Sequence, residues 1–557
     1  MRNSTCMKAF SEGKIGNLTV KNRIAMAPMI SNLGTPAGEV TDQHIRYLVE
    51  RAKGGAGLII TEYTYVDRIN SRGSPNELGA YGTELAPKLR RLTEKVKDQG
   101  SGIFMQLVHA GGKALDQINS RGNFAPSQVD YLGKTPQEMS LDDIESVKDS
   151  FAMAAKLAED TGFDGVEIHG AHGYLVQEFI SPALNRRTDS YGGSLENRVR
   201  FAQEIIDSVR KATHFQVGIR LSLLEFDRDG YGPDYGFSVA SHLRNVDYVH
   251  FSAGRNAPPG SSGSFYLPHT PIIDMIPGRL SVPIMAVGSV MNADDIERSL
   301  SKVDFVSMGR SLLADPYLPR KIQLNSGIPR PCIRCNQACR KLSLGEVRCT
   351  VNPDTGLEGF EREIRRYHGE LDIAGAGIKG LEAALYAAKS GLTVTVHELE
   401  DNIGGQIRSI FEDHHRNEFS GLIAYYVDSL KRLGVQVITG EKFSGKGAYC
   451  LPDKVYPAIT EKETISMDTN IYQYLDRALS LAEKHEVILS ERSVASLDRA
   501  RGMEYRKIAE KAGIAIRNLE KYDVVLFEKE QYDIRSAMVS GRREVREYLA
   551  EMEMEYL

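Results

Sequence analysis

Eight short runs rich in β-branched and aromatic residues recur through the first 330 residues, separated by sequence of helical character. This alternation restricts the fold more than any other feature of the chain. The runs are Arg23-Ile-Ala-Met-Ala27, Gly57-Leu-Ile-Ile-Thr61, Ile103-Phe-Met-Gln-Leu107, Gly165-Val-Glu-Ile-His169, Gln216-Val-Gly-Ile-Arg220, Tyr248-Val-His-Phe-Ser252, Ile284-Met-Ala-Val-Gly288 and Phe305-Val-Ser-Met-Gly309. Strands of a parallel sheet are covered on both faces, so they read as near-continuous apolar runs rather than as strict alternation. Helix-like stretches such as Ala86 to Asp98 and Glu196 to Ala212 lie between them. Eight strand-then-helix units predict an α/β architecture with a (β/α)8 barrel over residues 1–330. A doubly wound open sheet is the alternative. The barrel is preferred because polar or glycine residues (Gln106, His109, His169, His172, Arg220, Gly288, Arg310) recur at or just past strand ends, where barrels build their sites.

At 557 residues the chain has room for about three domains, and its 41% hydrophobic content is enough to build cores. A net charge of −5 with no long basic run gives no support to nucleic-acid or anionic-membrane binding. No apolar stretch approaches the roughly 18 residues of a membrane span, and the amino terminus lacks an apolar signal region. The expectation is a soluble, cytoplasmic protein.

Cys332, Cys335, Cys339 and Cys349 follow a Pro-Arg-Pro turn with the spacing C-x2-C-x3-C-x9-C and make up four of the six cysteines. Thiols clustered in a long chain without a secretion signal point to a metal centre rather than a disulfide framework. A four-cysteine zinc knuckle usually shows two separate short-spaced pairs. The single uneven run fits an iron-sulfur cluster better.

The densest polar constellation is His169-Gly-Ala-His-Gly-Tyr174, just beyond a strand, followed by Arg186-Arg-Thr-Asp-Ser-Tyr-Gly-Gly-Ser-Leu-Glu-Asn-Arg198. Two histidines and a tyrosine in one loop can polarise a carbonyl and deliver a proton. Together with Lys21-Asn-Arg-Ile-Ala-Met-Ala-Pro-Met29, Gln106-Leu-Val-His-Ala-Gly111 and Met308-Gly-Arg310, these segments resemble the flavin barrel of the old yellow enzyme family. The cysteine segment narrows the resemblance to the branch containing 2,4-dienoyl-CoA reductase, enoate reductases and trimethylamine dehydrogenase. That resemblance covers about the first 440 residues. It implies an FMN site in which Ala27, Pro28 and Met29 line the isoalloxazine, Gln106 and Arg220 bond its polar edge, and Gly288, Gly309 and Arg310 hold the phosphate. It implies a [4Fe-4S] cluster on Cys332, Cys335, Cys339 and Cys349 within residues 331–365. The implied catalytic residues are His169 and His172, which polarise a carbonyl, and Tyr174, the proton donor. His269 would be a second acid, or else simply exposed.

A nucleotide-binding unit is expected over residues 366–440. Gly375-Ala-Gly377-Ile-Lys-Gly380 ends a strand and opens an apolar-periodic helix, and the next strand, Thr393 to Glu398, ends in an acidic residue about twenty positions on. With Gly404-Gly-Gln406 beyond it, the segment resembles the family's flavin-type continuation. FAD is the first choice of ligand there, with ADP the alternative.

From residue 441 to 557 the pattern is divergent and charged, with helical stripes at Ile471, Leu475, Leu479 and Ala482 and at Val545, Leu549, Met552 and Tyr556. These read as helices packing on the nucleotide domain or on another subunit of a homo-oligomer, or as a docking surface for an electron-transfer protein or reductase subunit. No second glycine-rich turn follows, so a separate NAD(P)H pocket is expected to be poor or absent. The resemblance implies reduction of a C=C bond in an unsaturated acid, ketone or CoA thioester. An amine dehydrogenase is the alternative, lowered by Ile30, which stands where the best-known such enzyme has a flavin-linking cysteine. A non-catalytic redox-sensing or scaffold protein is a third reading.

Overall fold

The structure, a computed structural model, describes residues 8–555 except 117, 120–121, 131–132, 228, 256–270, 341–344, 360–366, 410–415, 453–458, 498 and 528–532. The eight expected strands are all present: β1 (Ile24–Met26), β2 (Leu58–Tyr65), β3 (Gly102–Val108), β4 (Gly165–Gly170), β5 (Gln216–Ser222), β6 (Tyr248–Ser252), β7 (Ile284–Val287) and β8 (Phe305–Met308). They pair in parallel with their chain neighbours, and β8 pairs with β1 to close the barrel. Closure leaves no edge strand and puts every strand's carboxy-terminal end on one rim.

Two apolar layers hold the barrel. One lies between strands and outer helices; the other fills the interior with Leu58, Ile60, Phe104, Tyr248, Met285 and Phe305. Each of the aromatic side chains there contributes about 2–3 kcal/mol through burial. A short antiparallel hairpin, Gly13–Ile15 with Leu18–Val20, adds Ile15 and Val20 to the interior layer at the amino-terminal rim. Gly218 on β5 shows why the interior fits. A Cβ there would lie 2.0 Å from Tyr248 Cε1, so only glycine leaves room for the Tyr248 ring.

Beyond the barrel, β9 (Glu370–Ala374), β10 (Thr393–Glu398), β11 (Gln436–Thr439) and β12 (Ala448–Tyr449) form a parallel sheet in the order β11-β10-β9-β12. Helix α1 (Ile378–Lys389) follows β9 directly. The order corresponds to 3-2-1-4 within the unit, the arrangement of a mononucleotide-binding half.

The carboxy-terminal region contains the expected helices, with Ile471, Leu475, Val545 and Leu549 buried and Leu479 and Ala482 half-buried. The Met552 side chain and Tyr556 lie outside the described residues. Amphipathic patterning did not reveal a second four-stranded parallel sheet between these helices: β13 (Thr464–Thr469), β14 (Glu486–Leu489), β15 (Ala515–Ile516) and β16 (Val524–Leu526), in the order β15-β14-β13-β16. It repeats the 3-2-1-4 order, but the turn into α2 (Tyr472–Leu481) carries Asp468, Thr469 and Asn470 in place of glycines. Asp468 is bonded by Ser490 and Arg492, and the Thr469 N–H donates to Ser493 Oγ at 2.7 Å. The Thr469 N–H, a group that a pyrophosphate would approach in a glycine-rich turn, is therefore engaged within the protein, and the turn carries the carboxylate of Asp468 where a glycine-rich turn would leave open backbone.

The last helix, α3 (Ile534–Glu555), returns to the first nucleotide-type unit and packs along α1. Lys379 pairs with Glu544 at 2.9 Å, and Arg542 bonds Glu382 and Asp354. The helices approach closely at Gly541, where a Cβ would lie 2.1 Å from Lys379 O. Gly541→Ala is expected to cost about 1–3 kcal/mol by forcing α3 off α1. Thermal scans with limited proteolysis should show earlier release of the region beyond residue 366, with the barrel transition unshifted.

Candidate active site

A cavity of about 490 Å³ opens at the carboxy-terminal rim of the barrel. Every strand supplies it: Ala27 after β1, Tyr63 on β2, Lys113 after β3, His169 on β4, Arg220 on β5, Ser252 on β6, Gly288 after β7 and Gly309 after β8. Pro28, Met29, His172, Tyr174 and Arg310 also line it. The expected barrel residues described thus converge on one place, except Gln106 on β3 and His109 just after it, which are buried and do not line the cavity.

Gln106 is held by a residue that the motifs did not single out. Glu167, wholly buried on β4, accepts from Gln106 Nε2 at 2.7 Å and from Tyr248 Oη at 2.8 Å, and its Oε2 lies 2.8 Å from His250 Nδ1. Burial alone would raise the Glu167 carboxyl, but His250, Arg220 and Tyr248 outweigh it and bring it below the usual range. With its amide nitrogen committed, Gln106 keeps Oε1 buried without a partner among the described residues. Arg220 donates from Nη1 to Pro28 O and from Nη2 to Ser252 Oγ, both at 3.3 Å, and its Nε is likewise buried without a partner among the described residues. Burial brings Arg220 down to about 10, so it stays charged. An acceptor and a cationic donor left open inside a packed barrel are a fit for a polar, planar ligand edge. On the opposite side, Gly309 has no side chain where a Cβ would meet Met29 Sδ at 3.0 Å, and Gly288 has φ +152°, a conformation side chains rarely adopt.

The loop after β4 is bent sharply, with His172 at φ +59° and Gly173 at φ +70°. The His172 N–H donates to Ser222 Oγ at 3.1 Å and the Gly173 N–H to Gln177 Oε1 at 2.6 Å, which hold a conformation unusual for a non-glycine residue. His169 Nδ1 accepts from the Ala171 N–H at 3.2 Å, so the neutral ring carries its proton on Nε2, which faces His172 Nδ1 at 3.4 Å. His172 Nε2 lies 2.7 Å from Ser252 Oγ. Burial, reinforced by Arg220, holds both histidines well below the usual range, so both are neutral at pH 7.

The Tyr174 ring packs 4.9 Å from His169 and 5.3 Å from Tyr63. Burial pushes its phenol up to about 12, a hydrogen bond from Tyr63 pulls it down, and Glu77 adds a smaller upward push. Tyr63 and Lys113 are further residues that sequence reasoning passed over. Tyr63 sits within an otherwise strand-like run, and Lys113 ends the Gly111-Gly-Lys113 turn just past β3, which was the available signal. His269 and the surrounding residues 256–270 lie outside the described residues.

Cys339 also lines the cavity, beside Arg310, which bonds Asn336 Oδ1 at 2.7 Å. Cys335 and Cys349 are buried, Cys332 and Cys339 partly so. Burial raises Cys332, Cys339 and Cys349, and Cys349 is raised further by the charges of the other three. The four sulfurs therefore share one neighbourhood. No three His, Cys, Asp or Glu side chains among the described residues are placed to hold a single metal ion.

In the first nucleotide-type unit the three glycines have separate duties. Gly375 adopts φ +101°; a Cβ on Gly377 would meet nothing nearer than Gly405 Cα at 3.9 Å; one on Gly380 would lie 1.8 Å from Gly375 O. These are the requirements of a tight turn, open backbone and close helix packing. Glu398, at the end of β10, accepts from the Ala376 N–H at 2.6 Å, so its carboxylate braces the loop itself. Gln406 follows in the turn Gly405–Ser409, where Gly404 bridges to Gly377.

Comparison with known proteins places these features. The model of the NADH:flavin oxidoreductase / NADH oxidase family matches residues 9–328, and that of an NAD(P)-binding Rossmann-like domain matches 373–432. The chain is 35% identical over 450 residues to an NADH oxidase of Thermoanaerobacter brockii, covering 77% of this chain and 69% of that protein. It is 32% identical over 474 residues to a cinnamate reductase of Clostridium sporogenes, covering 76% and 69%. The solved structure of 2-naphthoyl-CoA reductase with 2-naphthoyl-CoA superposes with a TM-score of 0.86 at 20% identity, over 97% of this chain and 99% of that one, a likeness of fold. The barrel match alone spans more than half of the chain, which therefore belongs to the NADH:flavin oxidoreductase / NADH oxidase family of flavin-dependent oxidoreductases.

Proposed function

We propose that this oxidoreductase reduces the C=C bond of an α,β-unsaturated carbonyl compound at FMN held in the rim cavity. The observation that carries this reading is Tyr174 beside neutral His169 in a cavity that His172 and Arg220 also line, with Gln106 Oε1 and Arg220 Nε left open inside the barrel. Those two groups would bond the pyrimidine edge of the flavin, Ala27, Pro28 and Met29 would line its ring, and Gly288, Gly309 and Arg310 would hold its phosphate. The flavin, when bound, supplies hydride chemistry at the substrate's β-carbon. His169 would have to turn its Nε2–H from His172, and His172 its Nε2–H from Ser252, to donate to the substrate oxygen as charge builds on it. Tyr174 would protonate the α-carbon, and the hydrogen bond from Tyr63 would steady the phenolate left behind. Amine oxidation is disfavoured by charge. The described lining carries Lys113, Arg220, Arg255, Arg310 and Arg340 but no Asp or Glu, a poor setting for a cationic substrate.

The four neighbouring cysteines are a donor set suited to a [4Fe-4S] cluster, which takes one thiolate per iron rather than several on one ion. Such a cluster would bring electrons singly to the barrel. Gly375, Gly377 and Gly380 would seat FAD, or ADP, on α1, with Gln406 beside it. Glu398 would have to release Ala376 to reach a ribose hydroxyl. NAD(P)H is a weaker candidate for direct electron supply, since the second sheet carries no glycine-rich turn, and an electron-transfer protein or reductase subunit is the proposed donor.

Tyr174→Phe should retain FMN and still be reduced, while anaerobic reoxidation by an unsaturated substrate slows roughly 100-fold or more; unchanged reoxidation would remove Tyr174 from the mechanism. Metal analysis should find about four irons with acid-labile sulfide and no zinc, and one zinc without sulfide would refute the cluster. In stopped-flow mixing, NADH and NADPH should bleach the flavins more slowly than the roughly tenth of a second of a typical turnover, whereas a ferredoxin or flavoprotein donor should be fast.

A further inference from the structure

We infer that Lys113 anchors a carboxylate on the substrate, so that the molecule reduced is a free unsaturated acid rather than a ketone or a thioester. This rests on the reading above that Tyr174 protonates the substrate. Lys113 ends the turn after β3 and reaches into the rim cavity. Its ammonium donates to the carbonyls of His172 and, at 2.8 Å, of Arg255, and lies 5.3 Å from the centre of the Tyr174 ring. Carbonyl partners orient an ammonium without neutralising it.

The surroundings favour an anionic guest. Glu178, the acidic group with the largest influence on Lys113, accepts from the Gly112 N–H at 2.8 Å, and burial holds its carboxyl well above the usual range, which disfavours its charged form. Asp227 is engaged by Arg255 Nε at 3.0 Å, and Asp229 by Arg255 Nη2 at 3.0 Å. Residues 256–270, which follow Arg255, include no acidic residue. Burial lowers Lys113 to about 8, which leaves it mostly protonated at pH 7.

The reaction has a use for this charge. Hydride addition to the β-carbon of a 2-enoate forms a C–H bond there and moves the C=C electron pair onto the α-carbon and the carboxylate. That carboxylate then carries a second negative charge until Tyr174 gives its proton to the α-carbon. Two neutral histidines offer hydrogen bonds but no compensating charge, whereas an ammonium offers both. A ketone or thioester builds up only one negative charge. The phosphates of a CoA ester lie a whole pantetheine arm away from the reacting carbons, whereas Lys113 sits against the proton donor.

The test uses the full-length, FMN-loaded protein, Lys113→Met and Lys113→Arg. Substrates are 2-enoic acids, each paired with the methyl ketone of the same skeleton, such as cinnamate with benzylideneacetone. The saturated acids, 3-phenylpropanoate among them, serve as non-reacting ligands for calorimetry. The wild type should prefer acids. In Lys113→Met the acid-to-ketone ratio of kcat/KM should fall roughly 10- to 100-fold, as for loss of a charge-assisted hydrogen bond, and binding of the saturated acid should weaken in step. Lys113→Arg should recover part of both. Equal losses for acid and ketone, or no change, would overturn the assignment, as would a wild type that reduces ketones but not acids, which leaves the C=C reductase reading standing. A wild type that reduces neither sinks that reading instead; Lys113-dependent binding of saturated acids would then still support the anchor, and its absence would overturn it.

Discussion

A single buried carboxylate ties the barrel to its site. Glu167 takes hydrogen bonds from β3 and β6, and a buried carboxylate lacking such partners would be strongly destabilising. Its bond to Tyr248 depends on Gly218 having no side chain, so backbone choice on β5 reaches the site through a ring packed inside the barrel. Its bond to Gln106 turns the amide so that the oxygen, not the nitrogen, is left open. The polarity of these open groups is therefore set by packing inside the barrel.

Within the cavity the electrostatics run in one direction. The described lining is cationic, and the groups best placed for acid–base work, His169, His172 and Tyr174, are all held in their neutral forms by burial. A neutral donor set surrounded by fixed positive charge is arranged for negative charge that appears during reaction. It also attracts anionic guests before reaction begins.

The two sheets beyond the barrel share a strand order but differ in what their first turn offers. In one, three glycines leave open backbone at the start of α1; in the other, Asp468 and Thr469 are bound by Ser490, Arg492 and Ser493. Strand order is kept by packing of the apolar faces, whereas ligand binding at the turn depends on a few residues. A fold of this kind persists after its turn has changed. Helix α3, which follows the second sheet, packs along α1 of the first unit, so the carboxy-terminal region supports the fold whether or not its own turn binds anything.

The sequence by itself determined the features that are local along the chain. The eight barrel strands, the glycine-rich turn before α1, the His169 to Tyr174 loop and the cysteine run were legible because apolar periodicity, turn chemistry and motif spacing involve residues close in sequence. The second parallel sheet was not legible: its strands are short, its turn lacks glycines and its flanking helices dominate the pattern. Tyr63 against Tyr174, Lys113 against the His172 carbonyl, and Glu167 against Gln106 were equally hidden. Only the tertiary structure decided these pairs, because closing the barrel brings the ends of distant strands onto one rim and buries the groups that meet there, and burial sets which of them are charged.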